Sequence, residues 1–422
     1  MKEDLLHYVW RMQRFSRTSL ATTSNQAIEI LQPGTYNTHS GPDFLNARIR
    51  IGDTLWAGNV EMHLKASDWF LHNHQADDAY NNVILHVVLE EDQPVPRGNG
   101  ELIPCLEMKK RIPKKLAAHY LRLLHEASWI PCQAQLPEVH ELTRNLWLGR
   151  LAAERLEHKA QALGQELKNN NENWEESFYQ SLARSFGAKT NAEPMALLTH
   201  NTPLLLLAKH RSRLFQMEAL LFGQSGLLQA AFEEEYPQSL QREYAFLQKK
   251  YRLTPLPAHS WKFMRLRPAN FPTIRIAQLA ALYYRSSNLF SKAMAAHDIR
   301  ELENLFELKL SNYWWAHYAF DKASAWKPKA LGKSTIHLII INTIAPFLFL
   351  YGQRKGDTRF QEKALDLLEK LQPESNAIIS RWRELGMPAD SAFHTQALLQ
   401  LKNEYCDHKR CLECAIGNAI LQ

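Results

Sequence analysis

The pattern of apolar residues predicts an α+β protein: an N-terminal α/β domain with a small mixed sheet, then a larger all-α domain. Three observations carry this. Short runs that alternate apolar and polar residues crowd the first quarter of the chain: ARIRI (Ala47 to Ile51), NVEMHLK (Asn59 to Lys65) and VILHVVL (Val83 to Leu89). Beyond Pro137 strand signals thin out and apolar residues recur at three- and four-residue spacing. Breaks at Asn169 to Asn171, Gly187 and Gly223 to Gly226 cut that region into helix-length pieces. The expected domains are 1–135, closing at Trp129-Ile130-Pro131-Cys132, and 136–422, a helical domain that ends in a Cys/His cluster.

Taken in order, Leu5, Leu6, Val9, Met12 and Phe15 give Glu3 to Phe15 a helical period. Ala27 to Leu31 reads as a short strand stopped by Pro33-Gly34, and a polar loop with His39 then leads to Gly41-Pro42-Asp43. In the run to Lys65, Glu61, His63 and Lys65 share one face of an extended chain while Val60, Met62 and Leu64 take the other. A last strand is expected over Glu101 to Leu106. It is followed by the basic cluster Lys109, Lys110, Arg111, Lys114 and Lys115, and by a helix over Ala117 to Ala127. Helices are then expected at 142–167, 174–186, 194–207, 214–221, 276–298, 300–323 and 358–371. The apolar stretch Ser334 to Gly352 reads as a buried helix, since it is short for a span of about 20 residues and contains Pro346.

At 422 residues, with 45% hydrophobic and 22% charged residues, the composition is that of a folded globular protein of two or three domains. The net charge of +6 is compatible with a polyanionic partner. Five cysteines make no disulfide framework and point to a reducing compartment, and the start MKEDLLHYVW is no secretory signal. The expected location is the cytoplasm, with no membrane partner and no organic cofactor.

The chemistry concentrates between Gly41 and Val88. Asp43 and Glu61, on neighbouring strands, offer the oxygen ligands that Mg²⁺ or Mn²⁺ takes. Such an ion lowers the pKa of a bound water and stabilises charge on a phosphoryl oxygen, and His63 or Lys65 would stabilise the same charge. His72, His74 and His86 follow; singly each reads as a loop or core histidine, while together with His63 they offer a transition-metal set. In the helical half, Lys262, Arg265, Arg267 and Arg275 interleave with Trp261, Phe263 and Phe271. That pattern suits phosphate contacts with base stacking, or an arginine-rich hinge that ties helix ends. Cys406, His408, Cys411 and Cys414 suit a zinc knuckle; a fourth cysteine for an iron–sulfur cluster is not nearby in sequence, and reduced thiols on a terminal helix are the other reading.

The Pro42-Asp43 pair followed by Glu61-Met62-His63 resembles the PD-(D/E)xK nuclease superfamily, in which one strand carries an Asp and the next an acid-x-Lys. His63 stands where that lysine is expected, with Lys65 a strand step beyond. A preceding helix sometimes contributes an acid there, a place only Glu3 fills here. The combination of GPDF, GNVEMH, HNH, VILHVV, WKFMRLRPANFPTIRIAQLA and CLECAIGN resembles the bacterial family DUF2851 along nearly the whole chain. These resemblances imply a bacterial, metal-dependent nuclease-like protein that acts on nucleic acid by phosphodiester hydrolysis. A nucleic-acid-binding or scaffold protein with a degenerate nuclease fold, and a metal-dependent hydrolase of small phosphoesters, are the alternatives.

Overall fold

The computed structural model describes residues 2–421. The chain forms two compact units: residues up to Trp147 together with those from Leu401 onward, and residues 148–400. The boundary expected after residue 135 thus lies further along, inside one long helix. The C-terminal stretch belongs with the N-terminal unit, a pairing of distant segments that local periodicity does not encode.

The first unit opens with α1 (Glu3–Arg11), whose Leu5, Leu6, Val9 and Trp10 are fully buried. Strands β1 (Ile28–Gln32), β2 (Thr35–Tyr36), β3 (Phe44–Ile51), β4 (Thr54–Lys65), β5 (Val83–Glu90) and β6 (Cys105–Glu107) form one mixed sheet in the order β1-β3-β4-β5-β6, with β2 pairing β3. β3 and β4 form an antiparallel hairpin through the two-residue turn Gly52-Asp53, where Gly52 takes the left-handed φ of +57° that such turns demand. β5 and β6 run parallel to β4 and to each other. In β5 six consecutive residues, His86 among them, are buried in place of the expected alternation, since a strand inside a sheet covered on both sides has no solvent face.

Two details aim the site. At Gly58 an added Cβ would meet Ile84 Cγ2 at 2.4 Å and the Asn82 carbonyl at 2.6 Å, so only glycine lets β4 approach β5 there. The β4–β5 register then slips between Asn59 and Val60, just before Glu61. The parallel connection from β4 to β5 runs through α2 (Asp68–Leu71) and two short 3₁₀ turns, His74–Ala76 and Asp78–Tyr80. It is this crossover that carries His72 and His74. Helix α3 (Lys114–His125) and the long α4 (Glu141–Asn169) follow the sheet.

The second unit is helical around one core in which Phe178, Phe222, Trp314 and Phe347 are buried. The stretch Lys333–Lys355 is long and apolar enough to cross a membrane, and 67% of its apolar window is buried inside the protein. Within it a π-helical turn, Ile340–Ile344, precedes Pro346. The helix expected over 300–323 breaks up. Ile299–Leu305 and Tyr313–Ala316 are helical, and His317–Ala319 pairs with Lys322–Ala323 as a small hairpin. Asp321 turns it at φ +55° and accepts the backbone N–H groups of Glu233 (2.8 Å) and Glu234 (3.2 Å).

Candidate metal centre

Five pieces of the first unit converge. β4 supplies Glu61 and His63, the crossover His72 and His74, β5 His86, the approach to β3 Asp43, and α1 His7. The two acids clasp each other's backbone: Asp43 N–H donates to Glu61 Oε2 (3.1 Å), and Met62 N–H donates to Asp43 Oδ2 (3.0 Å). Glu61 Oε1 lies 3.2 Å from His74 Nε2 and 3.6 Å from His63 Nε2. His63 Nε2 is 3.1 Å from His72 Nδ1, and its other nitrogen, Nδ1, is 2.8 Å from His86 Nε2. Tyr80 stacks on His74 with ring centroids 3.8 Å apart, and Trp69 stands edge-on to His74 and His86, so packing holds these rings.

The electrostatics follow from burial. Glu61 is 4% exposed, and burial followed by the Asp43 charge pushes its pKa up to about 9. Burial, then the neighbouring imidazoles, holds His63 down to about 2; burial lowers His86 to about 3 and also lowers His74. At neutral pH these rings are therefore neutral and keep a lone pair. His7 goes the other way: burial opposes its charge, but Asp43, with Nε2 and Oδ2 3.3 Å apart, raises its pKa overall. Burial raises Glu3, which feels His7, Asp43 and His72, so the α1 acid does lie close to the site.

Two buried imidazole nitrogens here, His74 Nε2 and His86 Nδ1, make no hydrogen bond, and neither does the indole nitrogen of Trp69 beside them. A buried unpaired polar atom costs about 1–3 kcal/mol. His74 Nε2 is close to Glu61 Oε1 but not directed at it, as expected of two atoms aimed at a common third point. An ion about 2.1 Å from each donor sets neighbouring donors about 3.0 Å apart in an octahedron and about 3.4 Å in a tetrahedron. The separations of 3.1, 3.2 and 3.6 Å match that geometry. Among the described residues, His63, His72 and His74 are the one trio of such side chains with donor atoms all within 4.8 Å of one another. With an ion on His63 Nε2, its Nδ1–H would donate to His86 Nε2, leaving the His86 proton on the nitrogen that has no partner.

The other expected residues fall elsewhere. Lys65 is exposed at the end of β4; its backbone N–H donates to Asp68 (2.9 Å) and its ammonium acts on Asp92. His63, being neutral, is suited to ligation and not to the cationic role. Arg275 is 7% exposed, its guanidinium donating to Gln278 (2.9 Å) and Asn270 (2.6 Å), which corrects its expected role as a phosphate clamp. Lys262, Arg265 and Arg267 are exposed on the second unit. His408 is exposed on a turn, and no three of Cys406, His408, Cys411 and Cys414 bring their donors within 4.8 Å; the expected single-zinc set is not assembled. Arg111 is spent on the carbonyls of Ser16, Thr18 and Ser19. His7, which the sequence reading missed, sits one helical turn after Glu3, and that i, i+4 spacing was the available signal. It also lines a cleft of about 640 Å³ with Arg11, Tyr36, Lys409 and Arg410.

Fold and site together define an α+β protein whose small mixed sheet gathers imidazoles and carboxylates around one point. The chain belongs to the DUF2851 family, described as a protein of unknown function, whose family model matches residues 3–377. No curated protein and no solved structure matches it.

Proposed function

We propose that the first unit is a metal-dependent phosphodiesterase that acts on nucleic acid, with one divalent ion held by Glu61, His63, His72 and His74 and with Asp43 beside it. The observation that carries this is the clustering of the His63, His72 and His74 donor atoms, with Glu61 Oε1 3.6 Å from His63 and 3.2 Å from His74, whose Nε2 makes no hydrogen bond. An imidazole-rich set shifts the preference from Mg²⁺ towards Mn²⁺, Fe²⁺ or Zn²⁺. When bound, such an ion supplies a Lewis acid and a water of lowered pKa. The neutral imidazoles offer their lone pairs, and Glu61 gives up its proton to bind, so affinity rises with pH up to about 9. His7, at the wall of the cleft with its pKa raised, is the proton-bearing cation placed for the role expected of Lys65 or His63.

The phosphodiester class is supported by the acid before β3 and the acid on β4, the arrangement behind the PD-(D/E)xK resemblance. The exposed Lys262, Arg265 and Arg267 also favour a polyanion. Five free cysteines suit the reducing bacterial cytoplasm. The outward position of Lys65 favours a second reading, a non-catalytic nucleic-acid binder on a degenerate nuclease fold.

The test is metal analysis of the purified protein, with cleavage of single- and double-stranded DNA and RNA in Mn²⁺, Zn²⁺, Fe²⁺ and Mg²⁺. Metal-dependent cleavage that Asp43→Asn and Glu61→Gln abolish, with binding retained, is the expected result. Cleavage of only a small phosphomonoester moves the substrate to small phosphoesters. Binding without cleavage in any metal supports the second reading, and full activity in Asp43→Asn ends the proposal.

A further inference from the structure

The cysteines carry a separate message. All five are free and all five belong to the first unit, although the whole second unit separates Cys105 and Cys132 from Cys406, Cys411 and Cys414 along the chain. The segment from Leu401 onward docks on the end of α3 and the loop after it. The Lys402 ammonium lies 5.2 Å over the Trp129 ring, Lys409 Nζ donates to the carbonyls of Leu124 and Glu126, and Tyr405 meets Trp147 edge-on at 5.3 Å. Cys132 faces this docked segment from a tight turn, its carbonyl accepting the N–H groups of Gln135 and Leu136. Cys132, Cys411 and Cys414 are each less than 9% exposed.

The thiols are close enough to act on one another. After burial, the charges of Cys414 and Cys411 raise the pKa of Cys132, and those of Cys414, Cys132 and Cys411 raise that of Cys406. Backbone N–H groups of Ile416 and Gly417 are turned on the Cys414 sulfur. Gly417 permits this: a Cβ there would meet the Cys411 carbonyl at 2.1 Å.

The geometry points to an iron–sulfur cluster held by Cys132, Cys406, Cys411 and Cys414, which staples the C-terminal segment to the N-terminal unit. Three arguments favour it over one zinc ion. Four thiolates are the usual ligand set of a [2Fe–2S] or [4Fe–4S] cluster. One zinc with Zn–S of 2.3 Å draws its sulfurs to about 3.8 Å from each other, whereas no three of these sulfurs lie within 4.8 Å of one another. N–H groups directed at a ligand sulfur are a feature by which proteins tune such clusters. His408, on its exposed turn, is not a ligand; Cys132 takes its place.

The full chain, purified without oxygen, tests this by visible absorption, iron content and acid-labile sulfide. A brown protein with equal iron and sulfide, two or four of each per chain, is the expected result. Cys132→Ser and Cys414→Ser are each expected to lose at least about tenfold in bound iron. His408→Ala and Cys105→Ser keep it, as does His63→Ala, which makes the assignment independent of the imidazole site. Because a cysteine variant that fails to fold would also lose iron, wild-type apoprotein is reconstituted with Fe²⁺ and sulfide and its melting temperature followed. A rise in Tm with uptake of iron supports the cluster. One zinc per chain without sulfide, or no iron uptake on reconstitution, overturns it.

Discussion

Glu61 in the first unit and Glu218 in the second are both buried carboxyls whose pKa burial lifts, to about 9 and about 7. Their surroundings are opposite. Glu218 accepts from the hydroxyls of Tyr236 and Ser311 and from the Trp314 indole N–H (3.1 Å), so three donors from separate elements satisfy it. Glu61 faces imidazoles, one of which, His74, has a nitrogen with no hydrogen bond, while His86 behind His63 has another. A closed set of donors around an acid holds helices together. An imidazole nitrogen left unpaired beside an acid is what the proposed ion would engage.

The sharpest way to break this contrast is to remove a ligand. His63→Ala or His74→Ala is expected to abolish stoichiometric metal and to lower hydrolysis on the order of 10³-fold. Circular dichroism should stay unchanged; full metal content in both variants would place the site elsewhere. Glu218→Ala should do the reverse. Leaving three donors unpaired costs roughly 3 kcal/mol of unfolding free energy, read by denaturant titration, with metal content and activity per folded molecule intact.

A smaller effect is expected one layer out. His86→Ala removes the partner of His63 Nδ1 and should weaken metal affinity about 10–100-fold, measured by competition with a chelator.

The pH dependence of the metal-free protein sharpens the comparison further. Glu61 has a raised pKa, so its contribution is complete below about 4.5 and is lost as the pH climbs towards 9; Glu218 behaves alike but only up to about 7. His63 and His86 have lowered values, so their contribution is present above about 6.5 and is lost as the pH falls towards 3. Glu61→Gln should therefore raise the metal-free melting temperature at pH 8 while it removes metal. A lower Tm at pH 8 would mean that Glu61 is not held neutral. The smallest effect is at Lys65: Lys65→Ala should change hydrolysis less than about twofold, since its charge lies towards Asp92 at an exposed strand end.

The strands and their alternation were legible. Glu61 and His63 are two apart on β4 because Val60 and Met62 must be buried, and GPD before β3 marks Asp43. The alternation also places Lys65 on that face, but the strand ends there, where Asp68 takes the Lys65 N–H and α2 begins. Arg275 looked like part of a basic stripe; its flanks, Ile274 and Ile276, are fully buried, and that apolar setting was the sign of an interior arginine. His7 and Cys132 were not singled out for the site or for the thiol cluster. Their partners lie on other segments, and no local spacing specifies which distant segment will fold beside a residue.

The return of residues from Leu401 onward to the first unit governs how this protein comes into being. A ribosome delivers the sheet, the imidazoles and both acids long before it delivers the piece that closes that unit. During synthesis the N-terminal unit must therefore wait, open along one side, while some 250 residues of helical chain are made and packed. Maturation of the sheet-bearing segment is in this way tied to a segment made some 250 residues later.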